Sequence, residues 1–213
     1  MELSNLPSFQ PLSFFSCSFD LAFSEEPLLK KPFLLPELSA LIDEDSFSTV
    51  SCSWSFKGLH FYIDVQRPFV EVFYPDFSKG DALELFIDTY NMQSSTPYLH
   101  HFLYLPKPFE GVSFKEITRL RADVNRPLAD SNHLKGKTTF FDDHYHMELF
   151  LPKEELYGFD PEEGKHIGLS YRLHSGRGEK ANFSSTDFKY DHHPKFWAGF
   201  ELFKEHYEIH KIT

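Results

Sequence analysis

Apolar and polar side chains alternate along much of this chain with a period of two, the pattern of strands that bury one face. "FSCSFDLAF" at 15–23 puts Phe15, Cys17, Phe19, Leu21 and Phe23 on one side, with Ser16, Ser18, Asp20 and Ala22 on the other. "VSCSWSF" at 50–56 turns Val50, Cys52, Trp54 and Phe56 inward. "LHFYIDV" at 59–65 does the same with Leu59, Phe61, Ile63 and Val65, and Lys57 and Gly58 supply the hairpin turn between the two runs. In "KGDALELFIDTYN" at 79–91, Leu83, Leu85 and Ile87 face one side and Glu84, Phe86 and Asp88 the other.

Further runs read "FVEVFY", "LHHFLYLP", "KTTFF", "HYHMELFLP", "HIGLSYRL" and "FWAGFELF", each bounded by Gly, Pro, Asp or Asn. Only "PELSALIDED", "SFKEITRLRAD" and "KEELYGFDP" have a helical look, and all three are short. About nine or ten strands with almost no helix predict an all-β fold, an antiparallel two-sheet β-sandwich of jelly-roll type. Leu83, Leu85, Ile87, Leu149, Leu151, Leu169 and Leu173 belong to its core. Pro27, Pro32 and Pro36 interrupt the pattern, so 24–45 reads as a crossover loop or a short helix. With no repeat and no low-complexity linker, residues 1–213 read as a single domain.

Composition narrows the partners. The net charge is −11, and Lys30–Lys31 is the only adjacent basic pair, which argues against nucleic acid and against an anionic membrane. The 25 Phe and 10 Tyr predict a core dominated by rings, which suits sheets. The first residues carry no basic segment, and Ser, Pro and Asp break their apolar run, so the expectation is a cytoplasmic protein without a membrane anchor. Cys17 and Cys52 are the only cysteines and sit in alternating runs, as buried free thiols or one disulfide between neighbouring strands. Asn182, Phe183 and Ser184 spell a glycosylation acceptor, which has no use in the cytoplasm.

The order "GLHFYIDV", "GDALELFIDT", "HHFLYLP", "YHMELFLPKEELYGFDP", "IGLSYRL", "FWAGFEL" resembles the domain shared by family-9 carbohydrate-binding modules and their DOMON-like relatives. The resemblance spans roughly 50–203 and is greatest to an uncharacterised bacterial subgroup, in which an Arg is common where Tyr90 stands here. It implies a β-sandwich with a concave face and, for the best-known members, sugar binding between stacked aromatic rings. The ring pair of those members is not carried over: Trp54 alternates with core residues, and Trp197 holds the closing-strand position that packs the sandwich. Other relatives bind haem through a Met and a His; Met147 reads as core, leaving Met92 as the candidate, and no cofactor is expected.

The acids of the 79–91 strand do not form a catalytic pair. Glu84 and Asp88 are four residues apart on one face, roughly 13 Å between Cα atoms, whereas glycosidase carboxylates work at roughly 5 to 9.5 Å. On this reading Glu84 lies on the outer face of its strand, so Glu84→Ala should cost little. His144, His146 and Glu148 share one strand face, and two imidazoles at that spacing can hold a metal if Asp142, His100, Glu84 or His174 completes the set. "DHHP" at 191–194 reads as a loop and "HSGRGEK" at 174–180 as a hairpin turn; neither a nucleophile elbow nor a phosphate-binding loop is present.

These readings give a non-catalytic binding module for carbohydrate, its concave sheet face carrying Glu84, Phe86, Asp88, His100, Tyr104, His144, His146 and Arg172. The alternatives are a structural or protein-interaction domain and a metal-dependent enzyme centred on His144 and His146. A large aromatic-lined groove points to the first, a flat apolar patch to the second and an open metal site to the third.

Overall fold

The computed structural model describes residues 18–25, 33–36, 46–94, 96–119, 126–183 and 194–204. These contain the strands β1 (Ser18–Ala22), β2 (Ser48–Ser55), β3 (Gly58–Val65), β4 (Ala82–Asp88), β5 (Leu99–Phe109), β6 (Val112–Glu116), β7 (Lys135–Phe140), β8 (Tyr145–Pro152), β9 (His166–His174), β10 (Lys180–Asn182) and β11 (Ala198–Phe203). Three single 3₁₀ turns, at 77–79, 153–155 and 194–196, are the helical structure among the described residues. None is long enough to cross a membrane.

The strands form two sheets. The larger runs β1-β11-β9-β4-β5-β6, and the smaller runs β2-β3-β8-β7. On one edge of β9, β11 pairs with residues 166–169 and β10 with 172–174, while β4 takes the other edge. Among the described strand pairs β1–β11 alone is parallel, a departure from the all-antiparallel expectation. The two sheets face one another across a ring-rich core. Leu83, Leu85 and Ile87 from β4 and Leu169 and Leu173 from β9 meet Met147, Leu149 and Leu151 from β8, all buried in one cluster as the alternation predicts. Trp54 is in the same cluster, edge-on to Phe23 at 5.0 Å, with Nε1 donating to the Phe203 carbonyl. Cys52 is a buried free thiol, and burial pushes its pKa up; Cys17 lies outside the described residues, as does most of 24–45.

Two segments differ from the sequence pattern. "FVEVFY" at 69–74 is not a strand, because the Asp81 carboxylate accepts the backbone N–H groups of Val70 (2.9 Å) and Glu71 (3.0 Å) that a ladder would have used. The start of "SFKEITRLRAD" is strand β6 rather than helix: Phe114 packs into the core opposite Tyr104, and pairing with β5 outweighs the helix preference of the charged residues around it. The 174–180 segment does turn as a hairpin, with Ser175 N–H bonded to the Glu179 carbonyl at 3.0 Å, and leads into β10.

Candidate functional site

The outer face of the large sheet, away from the core, carries the chemistry. On β4 that face presents Ala82, Glu84 and Phe86. Across one ladder β9 sets His174, Arg172 and Ser170 opposite those three residues. Across the other, β5 sets Leu103 and His101 opposite Glu84 and Phe86. Glu84 therefore sits mid-sheet with His101 and His174 on its two diagonals, each within side-chain reach.

Both oxygens of Glu84 are taken. His101 Nε2 donates to Oε2 at 2.7 Å and His174 Nε2 to Oε1 at 2.7 Å, while Arg172 Nη1 stands 3.6 Å from Oε1. Burial to 4% exposure pushes the Glu84 pKa up, but the hydrogen bonds and charges of the two histidines outweigh it and hold the carboxyl at about 2. His101 also stacks on Phe86, ring centroids 4.4 Å apart, and Phe86 meets Trp197 at 5.7 Å.

A loop folds over this face. Asp81 anchors it through the two N–H bonds given above, and its own N–H reaches the Glu71 carbonyl at 2.7 Å. Gly80 lies so close under the loop that a Cβ there would meet the Glu71 carbonyl oxygen at 2.6 Å. Pinned in this way, the loop packs Val72, Tyr74 and Phe77 against Ala82, Leu103 and Leu105. Lys115 Nζ donates to the Tyr74 hydroxyl at 3.0 Å, and Phe77 meets the His174 ring at 6.0 Å. Between the loop and the sheet a cleft of about 430 Å³ remains, walled by Tyr74, Phe77 and Ile117, floored by Glu84, Phe86, His101 and His174, and rimmed by Ser78, Arg119, Arg172 and Lys180.

The face inferred from strand parity is therefore partly corrected. Glu84, Phe86 and Arg172 do come together at the cleft. His100 and Tyr104 do not: they point to the interior, at 0% and 2% exposure. His100 Nδ1 bonds Glu116 at 3.0 Å, and the Tyr104 hydroxyl bonds Thr138 of the opposite sheet at 2.8 Å. Asp88 closes the turn after β4 by accepting the N–H groups of Tyr90 (3.2 Å) and Gln93 (2.9 Å), and burial raises its pKa against those bonds. His146 lies on β8 of the smaller sheet, on the opposite side of the sandwich, and His144 stands just before that strand with its ring 5.1 Å from that of His146. Their nitrogens pair with Asp143 (2.6 Å), with the Tyr62 hydroxyl (2.8 Å) and with Asp64 (3.2 Å). Of the other metal partners considered, Glu84, His174 and His100 lie in the larger sheet, and among the described residues no group of three His, Cys, Asp or Glu side chains is placed to hold a metal ion. Met92 is exposed in the loop after β4. Trp197 is buried, not between the sheets but with Phe86 and Leu99 on the outer face.

His101, Tyr74, Phe77, Arg119 and Lys180 were not legible as site residues. For His101 the reason is that β5 is buried on both faces, with Phe102 and Tyr104 inside and Leu103 and Leu105 under the loop, so its apolar pattern carries no direction. His174 had a usable signal, its two-residue spacing from Arg172.

No protein-family model matches the sequence, and none of the curated proteins matches it. Among solved structures, a family-9 carbohydrate-binding module from Caldicellulosiruptor kristjanssonii in complex with cellotriose superimposes with a TM-score of 0.62 at 12% identity, covering 88% of this chain and 94% of the module. The chain has the fold of a family-9 carbohydrate-binding module. The same kind of module from that organism in complex with glucose gives 0.61 at 12% identity, covering 88% and 96%. A Bacteroides uniformis protein named as carbohydrate-binding gives 0.54 at 9% identity, covering 89% of this chain and 100% of its own.

Proposed function

We propose that the protein is a non-catalytic carbohydrate-binding module that takes its ligand in the cleft over the outer face of the large sheet. The cleft itself carries the reading: about 430 Å³ with ring walls and a charged floor. That volume lies within the roughly 300–1,000 Å³ of small-molecule sites. Half-buried Tyr74 and Phe77 offer ring surface for the apolar side of a pyranose, and Ser78, Arg172 and Lys180 offer hydrogen bonds to its hydroxyls. The solved structures of the same fold with cellotriose and with glucose support this choice of ligand class. Hydrolysis would need a second carboxylate roughly 5 to 9.5 Å from the first. Among the described residues that line the cleft, Glu84 is the one carboxylate, and both its oxygens are held by histidines.

The test is a titration of the full chain with glucose and cello-oligosaccharides, followed by amide shifts. Residues of β4, β5 and β9 around Glu84 should move together, and Tyr74→Ala should lose the response while keeping its melting temperature within a few degrees. If no sugar binds and a single protein partner is instead recovered in stable ratio, the chain is an interaction domain.

A further inference from the structure

The cleft is charged against the sign of the whole molecule. The chain carries a net −11, yet Arg119, Arg172 and Lys180 gather at the cleft rim, and Lys115 stands behind Tyr74. The one carboxylate on the cleft floor, Glu84, is a single negative charge against the three at the rim and stands 3.6 Å from Arg172. Glu84 is 4% exposed, and His101 and His174 occupy its oxygens, so both are engaged within the floor and not offered to a ligand. Arg172 is held in position by Nε donating to Asn182 Oδ1 at 3.0 Å and by its proximity to Glu84. Arg119 is exposed and has no ion pair with any described residue, so its guanidinium is available at the rim. Concave sites lined by one sign concentrate field and draw in the opposite charge, and a guanidinium matches a carboxylate with two parallel hydrogen bonds.

Building on the carbohydrate reading, we infer that the ligand is an acidic sugar, a pyranose bearing a carboxylate. Its ring lies along Tyr74 and Phe77, and its carboxylate is received by Arg119 within the field of Arg172 and Lys180. A neutral sugar would leave the Arg119 charge without a partner on binding. A bare anion would leave the ring walls uncovered.

Calorimetric titration of the full chain at low ionic strength with D-glucuronate, D-glucose and acetate tests this. Glucuronate should bind at least about tenfold tighter than glucose, the increment of one charge-assisted hydrogen-bonded contact, and acetate should give no measurable heat. The preference should shrink as salt is raised and should fall toward one in Arg119→Gln, whose circular dichroism and melting stay those of the parent. Equal affinity for glucuronate and glucose would overturn the acidic-sugar inference and leave the carbohydrate reading standing. Acetate binding as tightly as glucuronate would also overturn the inference, by reducing the site to a simple anion site. No binding of glucuronate, glucose or any neutral oligosaccharide would overturn the carbohydrate reading and this inference with it.

Discussion

Glu84 Oε1 accepts a 2.7 Å hydrogen bond from Nε2 of His174, which lies 90 residues further along the chain. The contact crosses the β4–β9 ladder on the diagonal, and with the matching bond from His101 it ties three adjacent strands together on the face that floors the cleft. An outward-facing acid on an alternating strand is ordinarily a solvated one. Here the loop and its rings cover the face, and the acid has become a buried hydrogen-bond hub.

The pH dependence of stability should report that hub. Glu84 has its carboxyl held at about 2 in the folded chain against an ordinary value of 4.5, so its ionised form favours folding at every pH above 4.5. That contribution is lost as pH falls from 4.5 toward 2. Glu84→Gln should be about 1–3 kcal/mol less stable at neutral pH, because two histidine donors lose an ionised acceptor. The variant should also lose less on acidification than the parent. Thermal melts from pH 7 to pH 3 give both numbers, and identical slopes for the two proteins would remove Glu84 from the account.

Leu85, one position along, faces the other way and is 1% exposed in the core between the sheets. Leu85→Ala should cost about 2–5 kcal/mol as a core truncation. Urea unfolding should show a lower midpoint with an unchanged slope.

The difference between Leu85 and Tyr104 shows what alternation can and cannot convey. On β4 the inner residues are aliphatic and the outer set contains two acids, so the pattern has a direction, and the predicted core position of Leu85 is the observed one. On β5 every residue from Phe102 to Leu105 is buried, because a loop covers the outer face, and parity alone placed Tyr104 and His100 on the wrong side. The loop is fixed by Asp81 and Gly80, contacts that no period reveals. Arg172 was legible beside Glu84 because β9 has the clear inner series Leu169, Tyr171, Leu173. His144 and His146, around the start of β8, alternate as cleanly, but period two does not say which of two sheets a strand joins.

A second buried acid should behave as a network. Glu116, 3% exposed, takes bonds from His100 Nδ1 (3.0 Å), Arg126 Nη2 (2.6 Å), the Thr118 hydroxyl (2.6 Å) and the Ala129 N–H (2.7 Å). Arg126 in turn donates to the carbonyls of Pro97 and Leu99, tying the entry of β5 to β6. Arg126→Ala should cost about 3–5 kcal/mol by leaving a buried carboxylate without its cation. In a double-mutant cycle with Glu116→Gln, the pair should lose clearly less than the sum of the single losses. Strict additivity would mean that the two side chains act independently.

The last prediction concerns the contact that joins the sheets through Tyr104. Its ring lies across Gly136 of β7, where an added Cβ would come within 2.2 Å of the ring edge, and its hydroxyl bonds Thr138 two residues on at 2.8 Å. The ring is buried against Phe114, so it has little room to turn aside. Gly136→Ala should therefore destabilise by about 1–3 kcal/mol through overpacking. Tyr104→Ala should cost about 3–5 kcal/mol, as a large ring deleted from a core. Combining Gly136→Ala with Tyr104→Leu should recover part of the glycine variant's loss, because the shorter side chain vacates the space the new methyl needs. If Gly136→Ala is silent while Tyr104→Ala abolishes sugar binding without loss of stability, Tyr104 lies at a ligand face and not between the sheets.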